Sequence, residues 1–285
     1  MAIDAATLET IDNVVQGAAA ALGIFVIGWA LRRGTWRDPL PALLPNPDGP
    51  SGLAIVITIG IYLVGAMLAQ QFAHISAEQT RIPGSPDWLR AVRVDYTLRC
   101  GLAGGLIALL AAYRPLLSGL TPVPAMWKRI TAGVAAGLIS LPVCNLLFLG
   151  LQLLWHALWP NEQPPEHEVV QAIQHAGRGI IFEMLLMAVI IAPLAEELFF
   201  RGLLFQAVWA WSGRRYVALL ISAGAFGLVH LPQPQAVLPL FVLGLILGIV
   251  RARYRSLTAC VIAHAVFNSR TMLLLLLNPD LAGQV

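Results

Sequence analysis

Glu196 and Glu197 stand side by side in Ala195-Glu-Glu-Leu-Phe-Phe-Arg201, directly after the apolar run Met184–Leu194. A central charged side chain costs about 2.5 to 3.5 kcal/mol on membrane-insertion scales, so two carboxylates and an arginine in lipid-soluble sequence need partners or a task. On a helix Glu197 and Arg201 are four positions apart, share a face and can neutralise each other. Glu196 points about 100° away from that pair and has no cation at helical spacing on its own segment. One carboxylate thus has a structural partner and its neighbour is left over for chemistry.

Other polar residues in the C-terminal half have spacings that could serve Glu196. His230 ends Phe226-Gly-Leu-Val-His230, and His264 and Asn268 bracket His264-Ala-Val-Phe-Asn268. The last two are four apart and stack on one helix face. Gly224, Gly227, Gly244 and Gly248 lie nearby and would let helices approach closely. A carboxylate beside two imidazoles can bind a divalent metal such as zinc, with Glu196, His230 and His264 as candidate ligands and water in the open position. Without a metal, the Glu can take a proton from water while His and Asn donate to a developing oxyanion. Either route ends in amide hydrolysis. Singly, each residue has a plainer reading: an interhelical hydrogen bond for a His or Asn, structural glue for a Glu-Arg pair, and an interfacial acid for Glu183. Their conjunction in apolar segments, with almost no equivalents earlier in the chain, favours a site.

The elements that must position these groups are membrane spans. The 285-residue chain is 58% hydrophobic and only 12% charged, about half the charge of an ordinary soluble domain. The reading is an all-α, polytopic transmembrane helical bundle forming a single domain over residues 1–285, embedded in a lipid bilayer. A net charge of +3 is too small to argue for nucleic acid. Three cysteines lie in apolar runs without a CxxC and read as small core residues. Met1–Gly17 carries acids and no Lys or Arg, unlike a signal peptide, and reads as an extramembrane lead-in.

Hydropathy and length give about eight spans: Val15–Leu31, Leu53–Gln70, Leu98–Ala112, Thr131–Trp155, Ile180–Phe205, Tyr216–His230, Val237–Val250 and Leu257–Leu277. Basic residues cluster after the odd-numbered spans, as in Arg32-Arg33, Lys128-Arg129, Arg214-Arg215 and Arg251–Arg255, which places those loops in the cytoplasm. Arg33–Ser51 is proline-rich and irregular. Trp159–His167 terminates the fourth span with three prolines, and Glu168–Gly179 reads as a short interfacial helix. Measured from the basic boundary, His230, His264 and Asn268 lie about 14 to 23 Å deep at 1.5 Å per residue. Glu196 matches that depth only if its helix continues through Phe205 toward Trp211, with a bend expected near Pro193.

Glu196-Glu197-x-x-x-Arg201, Phe226-x-x-x-His230 and His264-x-x-x-Asn268, in this order and each on an apolar segment, resemble the three motifs of the CAAX-protease and bacteriocin-processing family. These are intramembrane endopeptidases that include the type II CAAX prenyl endopeptidases. The resemblance spans about Ile180–Leu277; residues 1–160 carry no motif. It implies Glu196 as the water-activating base, His230 as the second-motif histidine, and His264 with Asn268 as the pair that binds water or stabilises the oxyanion. Glu197 and Arg201 would hold the site together. The motifs leave metal dependence open. The implied substrate is a peptide or protein at the membrane, and the implied location is the cell membrane of a bacterium, as a multi-pass protein. His-Glu-x-x-His, Gly-x-Ser-x-Gly and Gly-x-Gly-Asp are absent, which disfavours zincin-like, serine and aspartyl intramembrane proteases. The alternative is a non-catalytic transporter or immunity-type protein whose polar cluster binds an ion. An inverted repeat of broken helices would favour it, and none is visible.

Overall fold

In the computed structural model, the described residues are 5–32, 55–61, 63, 64, 85–117, 125–162, 164 and 178–277. Among them every regular element is helical: α1 (Ala5–Arg32), α2 (Pro86–Leu117), α3 (Met126–Leu158), a helical run from Arg178 to Ser212, α7 (Arg215–Leu228), α8 (Pro234–Tyr254) and α9 (Leu257–Leu277). The run comprises α4 (Arg178–Leu186), a π-helical turn (Met187–Ile191), α5 (Ala192–Glu197), a second π-helical turn (Leu198–Leu204) and α6 (Phe205–Ser212). Helices are what apolar sequence of this kind must form, because lipid offers no partner to a backbone N–H or C=O. Among the described residues, three helices are long and apolar enough to cross a membrane by themselves, within Met126–Leu158, Pro234–Tyr254 and Leu257–Leu274. Thr10–Val26 and Arg215–Leu228 are shorter apolar helices.

Several sequence expectations change here. The lead-in is helical from Ala5 and continuous with the first span, and its Asp12 reaches Arg270 of α9. The third span, Leu98–Ala112, is the apolar part of a helix starting at Pro86, where the Ser85 hydroxyl accepts the Trp88 N–H. Arg90 and Arg93, before Leu98, therefore belong to α2. Helix continuation past Arg201 to Trp211 is observed, and the run stops at Gly213, which takes φ +65° as its C-cap. α7 ends at Leu228, so His230 sits on the turn beyond it. Of the cysteines, Cys144 and Cys260 are buried but Cys100 is exposed. Half of the Leu53–Gln70 span, the Arg33–Ser51 loop and residues 168–177 of the expected Glu168–Gly179 helix lie outside the described residues.

The core gathers where the three motifs meet. Phe200, Phe226, Leu243, Leu247, Ala259, Cys260 and Ala263 bury one another with Cys144 of α3. Close helix approach depends on glycines, though not all those expected. A Cβ on Gly137 of α3 would lie 2.6 Å from the Ala263 carbonyl oxygen of α9, and one on Gly133 would lie 2.7 Å from that of Ala259. Gly227 and Gly244 likewise seat α7 against α8, whereas Gly224 has nothing within 4 Å. α3 carries no motif, yet its Gly133-x-x-x-Gly137 face sets how near α9 can stand.

Candidate active site

The two π turns explain how the helical run presents its carboxylates. Pro193 has no N–H and its ring crowds the carbonyl four residues back. The chain responds with a wide turn just upstream, in which the Ala192 N–H bonds to the Met187 oxygen. The Ala188 oxygen would then look to residue 193, which is the proline. Asn268 supplies the missing donor: its Nδ2 lies 2.8 Å from the Ala188 oxygen. At the second turn the Phe205 N–H bonds to the Phe200 oxygen, which also accepts from the Ser222 hydroxyl at 2.8 Å. Such π insertions are frequent at functional sites because they re-aim side chains.

Between these turns lie Glu196 and Glu197. Glu197 is fully buried and its Oε1 accepts from Arg201 Nη1 at 2.8 Å and from His264 Nδ1 at 2.9 Å. Arg201 is also fully buried; its Nη2 donates to the Gly244 oxygen at 3.2 Å, and its guanidinium carbon lies 4.5 Å from the centre of the Phe226 ring. Sequence spacing gave Glu197 to Arg201 alone. The structure adds that Glu197 also holds an imidazole.

A carboxylate on Nδ1 requires that nitrogen to carry the proton, so a neutral His264 presents Nε2 as an acceptor. That Nε2 lies 3.9 Å from Glu196 Oε2. The expected convergence of Glu196 and His264 is therefore present. The separation is too long for a direct hydrogen bond. A single water to one side, about 2.8 Å from each, could donate one proton to either acceptor.

His230 and Asn268 are placed differently. The His230 Nδ1 bonds to the Phe226 oxygen at 2.9 Å, and its ring stands 5.4 Å from that of Phe226. The His264 ring stands 5.5 Å from the same phenyl. Both histidines thus abut one aromatic residue, with His230 half-buried at the rim. Asn268 is four residues from His264 on α9, but its amide nitrogen is committed to the Ala188 carbonyl. Glu183 pairs with Arg93 of α2 at 3.0 Å and is half-buried.

One participant was missed. Arg99 of α2 places Nη1 3.3 Å from Glu196 Oε1 while its Nε lies 2.6 Å from Asp95. The signal was present as an arginine at the mouth of an apolar span with an acid four residues earlier. The pairing across 97 residues has no periodicity to reveal it.

As to metal, the described residues contain no group of three or more His, Cys, Asp or Glu side chains able to hold an ion. His264 has spent Nδ1 on Glu197 and His230 has spent Nδ1 on the Phe226 oxygen, and their remaining nitrogens do not group with Glu196 as the three donors a zinc site needs. The donor set in this arrangement does not fit a zinc shell.

The fold and site define a helical membrane protein with a buried carboxylate–histidine centre. Residues 178–270 match the family model described as type II CAAX prenyl endopeptidase Rce1-like. This stretch contains all three motifs, so the resemblance read from them stands. Among curated proteins, the uncharacterized protein YyaK of Bacillus subtilis (strain 168) is 30% identical over 126 residues, covering 43% of this chain. The aligned stretch spans only 37% of that relative's length. No solved structure matches.

Proposed function

We propose that the chain is a membrane-embedded endopeptidase that hydrolyses a peptide bond near the membrane surface with a water activated by Glu196. The observation that carries this reading is the 3.9 Å gap between Glu196 Oε2 and His264 Nε2, with His264 fixed from behind by Glu197. A water in the gap gives its two protons to these two acceptors and turns its lone pairs outward. Attack on a substrate carbonyl transfers a proton to Glu196, which then delivers it to the departing amine nitrogen. Glu197, flanked by Arg201 and His264, keeps the imidazole in the Nδ1–H tautomer. His230, at the rim beside Phe226, faces the approaching peptide. Asn268 acts on the site through the backbone of the π turn, not by direct contact with the oxyanion. The Rce1-like match supports the reaction class. A peptide or protein at the membrane is the substrate class, of which a prenylated C-terminal CAAX peptide is one member.

The test is a comparison of membrane peptides in cells carrying wild-type or Glu196→Gln protein. A defined set of uncut peptides should accumulate with Glu196→Gln, which remains folded and membrane-inserted. Identical peptide profiles would end the endopeptidase reading. Because no step here runs through a metal, cleavage by purified protein should survive thorough chelation. Loss on chelation with recovery on added zinc would replace this scheme with a metal-assisted one.

A further inference from the structure

On its own helical run Glu196 has no cation at i+4 spacing, Arg201 being held by Glu197, and it finds one on α2. Arg99 directs Nη1 to Glu196 Oε1 at 3.3 Å and Nε to Asp95 Oδ2 at 2.6 Å. The planar guanidinium fixes the angle between these two directions. The Glu196 carboxylate is thereby divided, with Oε1 toward Arg99 and Oε2 toward His264 Nε2. The terminal torsion of a glutamate is broad and imposes no such aim. Rotation about it would carry Oε2 away from the imidazole, so an outside restraint is needed, and Arg99 is placed to give it.

The base from which Arg99 reaches is itself fixed. At one end of α2, Trp88 packs with Met184 and Met272. Further along, Ala103 packs with Ala195, Leu198 and Leu203 around the two carboxylates. Arg99 lies between these anchors. A second bridge, Arg93 to Glu183, joins the same two elements in the same sense, so α2 runs parallel to the helical run. Along this seam side-chain exposure falls from 44% at Glu183 to 18% at Glu196. Charged groups at such exposure in a membrane bundle are tolerated only where water reaches them.

We propose that Arg99 is a positioning residue for Glu196, restrained by Asp95, so that α2 completes a site whose other members all lie within residues 178–270. The proposal rests on the endopeptidase reading of that site. Its test uses full-length purified protein and, as substrate, the membrane peptide that accumulates with Glu196→Gln. Arg99→Gln should lower kcat by about 100-fold, the usual size of a misplacement near 1 Å, with KM little changed. Arg99→Lys should recover part of kcat, because an ammonium still meets Glu196 but cannot span to Asp95. Asp95→Asn should lower kcat less than Arg99→Gln. Wild-type kcat in Arg99→Gln would overturn the proposal, as would a loss confined to KM or one that Arg99→Lys does not relieve at all. If Arg99→Gln does not accumulate folded, Asp95→Asn decides, since it leaves both charges of the Arg99–Glu196 pair in place; an unchanged kcat there overturns the proposal. The two readings fail separately. Cleavage at wild-type rate by Glu196→Gln defeats the endopeptidase, whereas an inert Glu196→Gln beside a fully active Arg99→Gln defeats only the role of Arg99.

Discussion

Two carboxylate–arginine pairs meet at one point of this bundle and have opposite characters. Glu197 and Arg201 belong to one helical run, four residues apart, and both are fully buried at 2.8 Å. Glu196 and Arg99 come from different helices, remain 18% and 35% exposed, and are looser at 3.3 Å. The first pair is enclosed by Phe226, His264 and the Gly244 carbonyl, and water has little reason to enter. The second opens along α2 toward the exposed Arg93–Glu183 bridge. On the proposed reading, adjacent residues of one type take separate tasks: a dry pair to orient and hold, a partly wet carboxylate to exchange a proton with water. His264 couples them, with one nitrogen on Glu197 and the other facing Glu196.

The sharpest way to break this comparison is to neutralise each carboxylate separately. Glu196→Gln should reduce turnover by about 10² to 10⁴, the range for loss of a general base, while thermal unfolding in detergent stays near that of the wild type. Glu197→Gln or Arg201→Gln should act on stability, by about 3 to 5 kcal/mol, because either leaves a charge buried without its partner. A reduced folded yield and an early unfolding midpoint are the expected readouts. If Glu196→Gln unfolds early and Glu197→Gln does not, the two tasks have been assigned the wrong way round.

A smaller effect separates a direct from an indirect role for Asn268. Replacing it with Leu orphans the Ala188 carbonyl, which should cost about 1 to 3 kcal/mol of stability. Activity should fall with the loosening of the π turn. An inactive Asn268→Leu protein of wild-type stability would instead place the amide at the oxyanion. Similar in size is Gly137→Ala, whose Cβ would meet the Ala263 carbonyl at 2.6 Å. Overpacking of this kind costs about 1 to 3 kcal/mol, and here it pushes α9 and His264 away from the carboxylates. Gly224→Ala, with nothing within 4 Å, is the matched control. The smallest effect belongs to the outer end of the seam. Arg93→Gln with Glu183→Gln should change stability by at most about 1 kcal/mol, as an exposed ion pair does, and should leave turnover intact. A large loss there would show that the outer bridge, too, sets the position of Glu196.

What the chain alone determined was whatever depends on local periodicity and solvent preference. Apolar length specified helices, because a bilayer leaves the backbone no other way to satisfy itself. The 3.6-residue repeat specified the Glu197–Arg201 pair and left Glu196 over, while depth counted at 1.5 Å per residue required the run to continue to about Trp211, where the helix in fact ends at Ser212. The three motifs, read in order, indicated the family type that residues 178–270 match. The tertiary structure decided everything that joins residues distant in sequence. Glu196 acquired Arg99, and Asp12 of the supposed lead-in acquired Arg270 through two bonds of 2.8 Å. Asn268 went to a carbonyl that exists as an orphan only because Pro193 forced a π register. His230 fell just past a helix end, on the turn that leads into Pro232 and Pro234. Helical spacing fixes which side chains share a face, but which face meets which depends on how closely α3, α8 and α9 can pack, and here glycines on α3 and α8 set that limit.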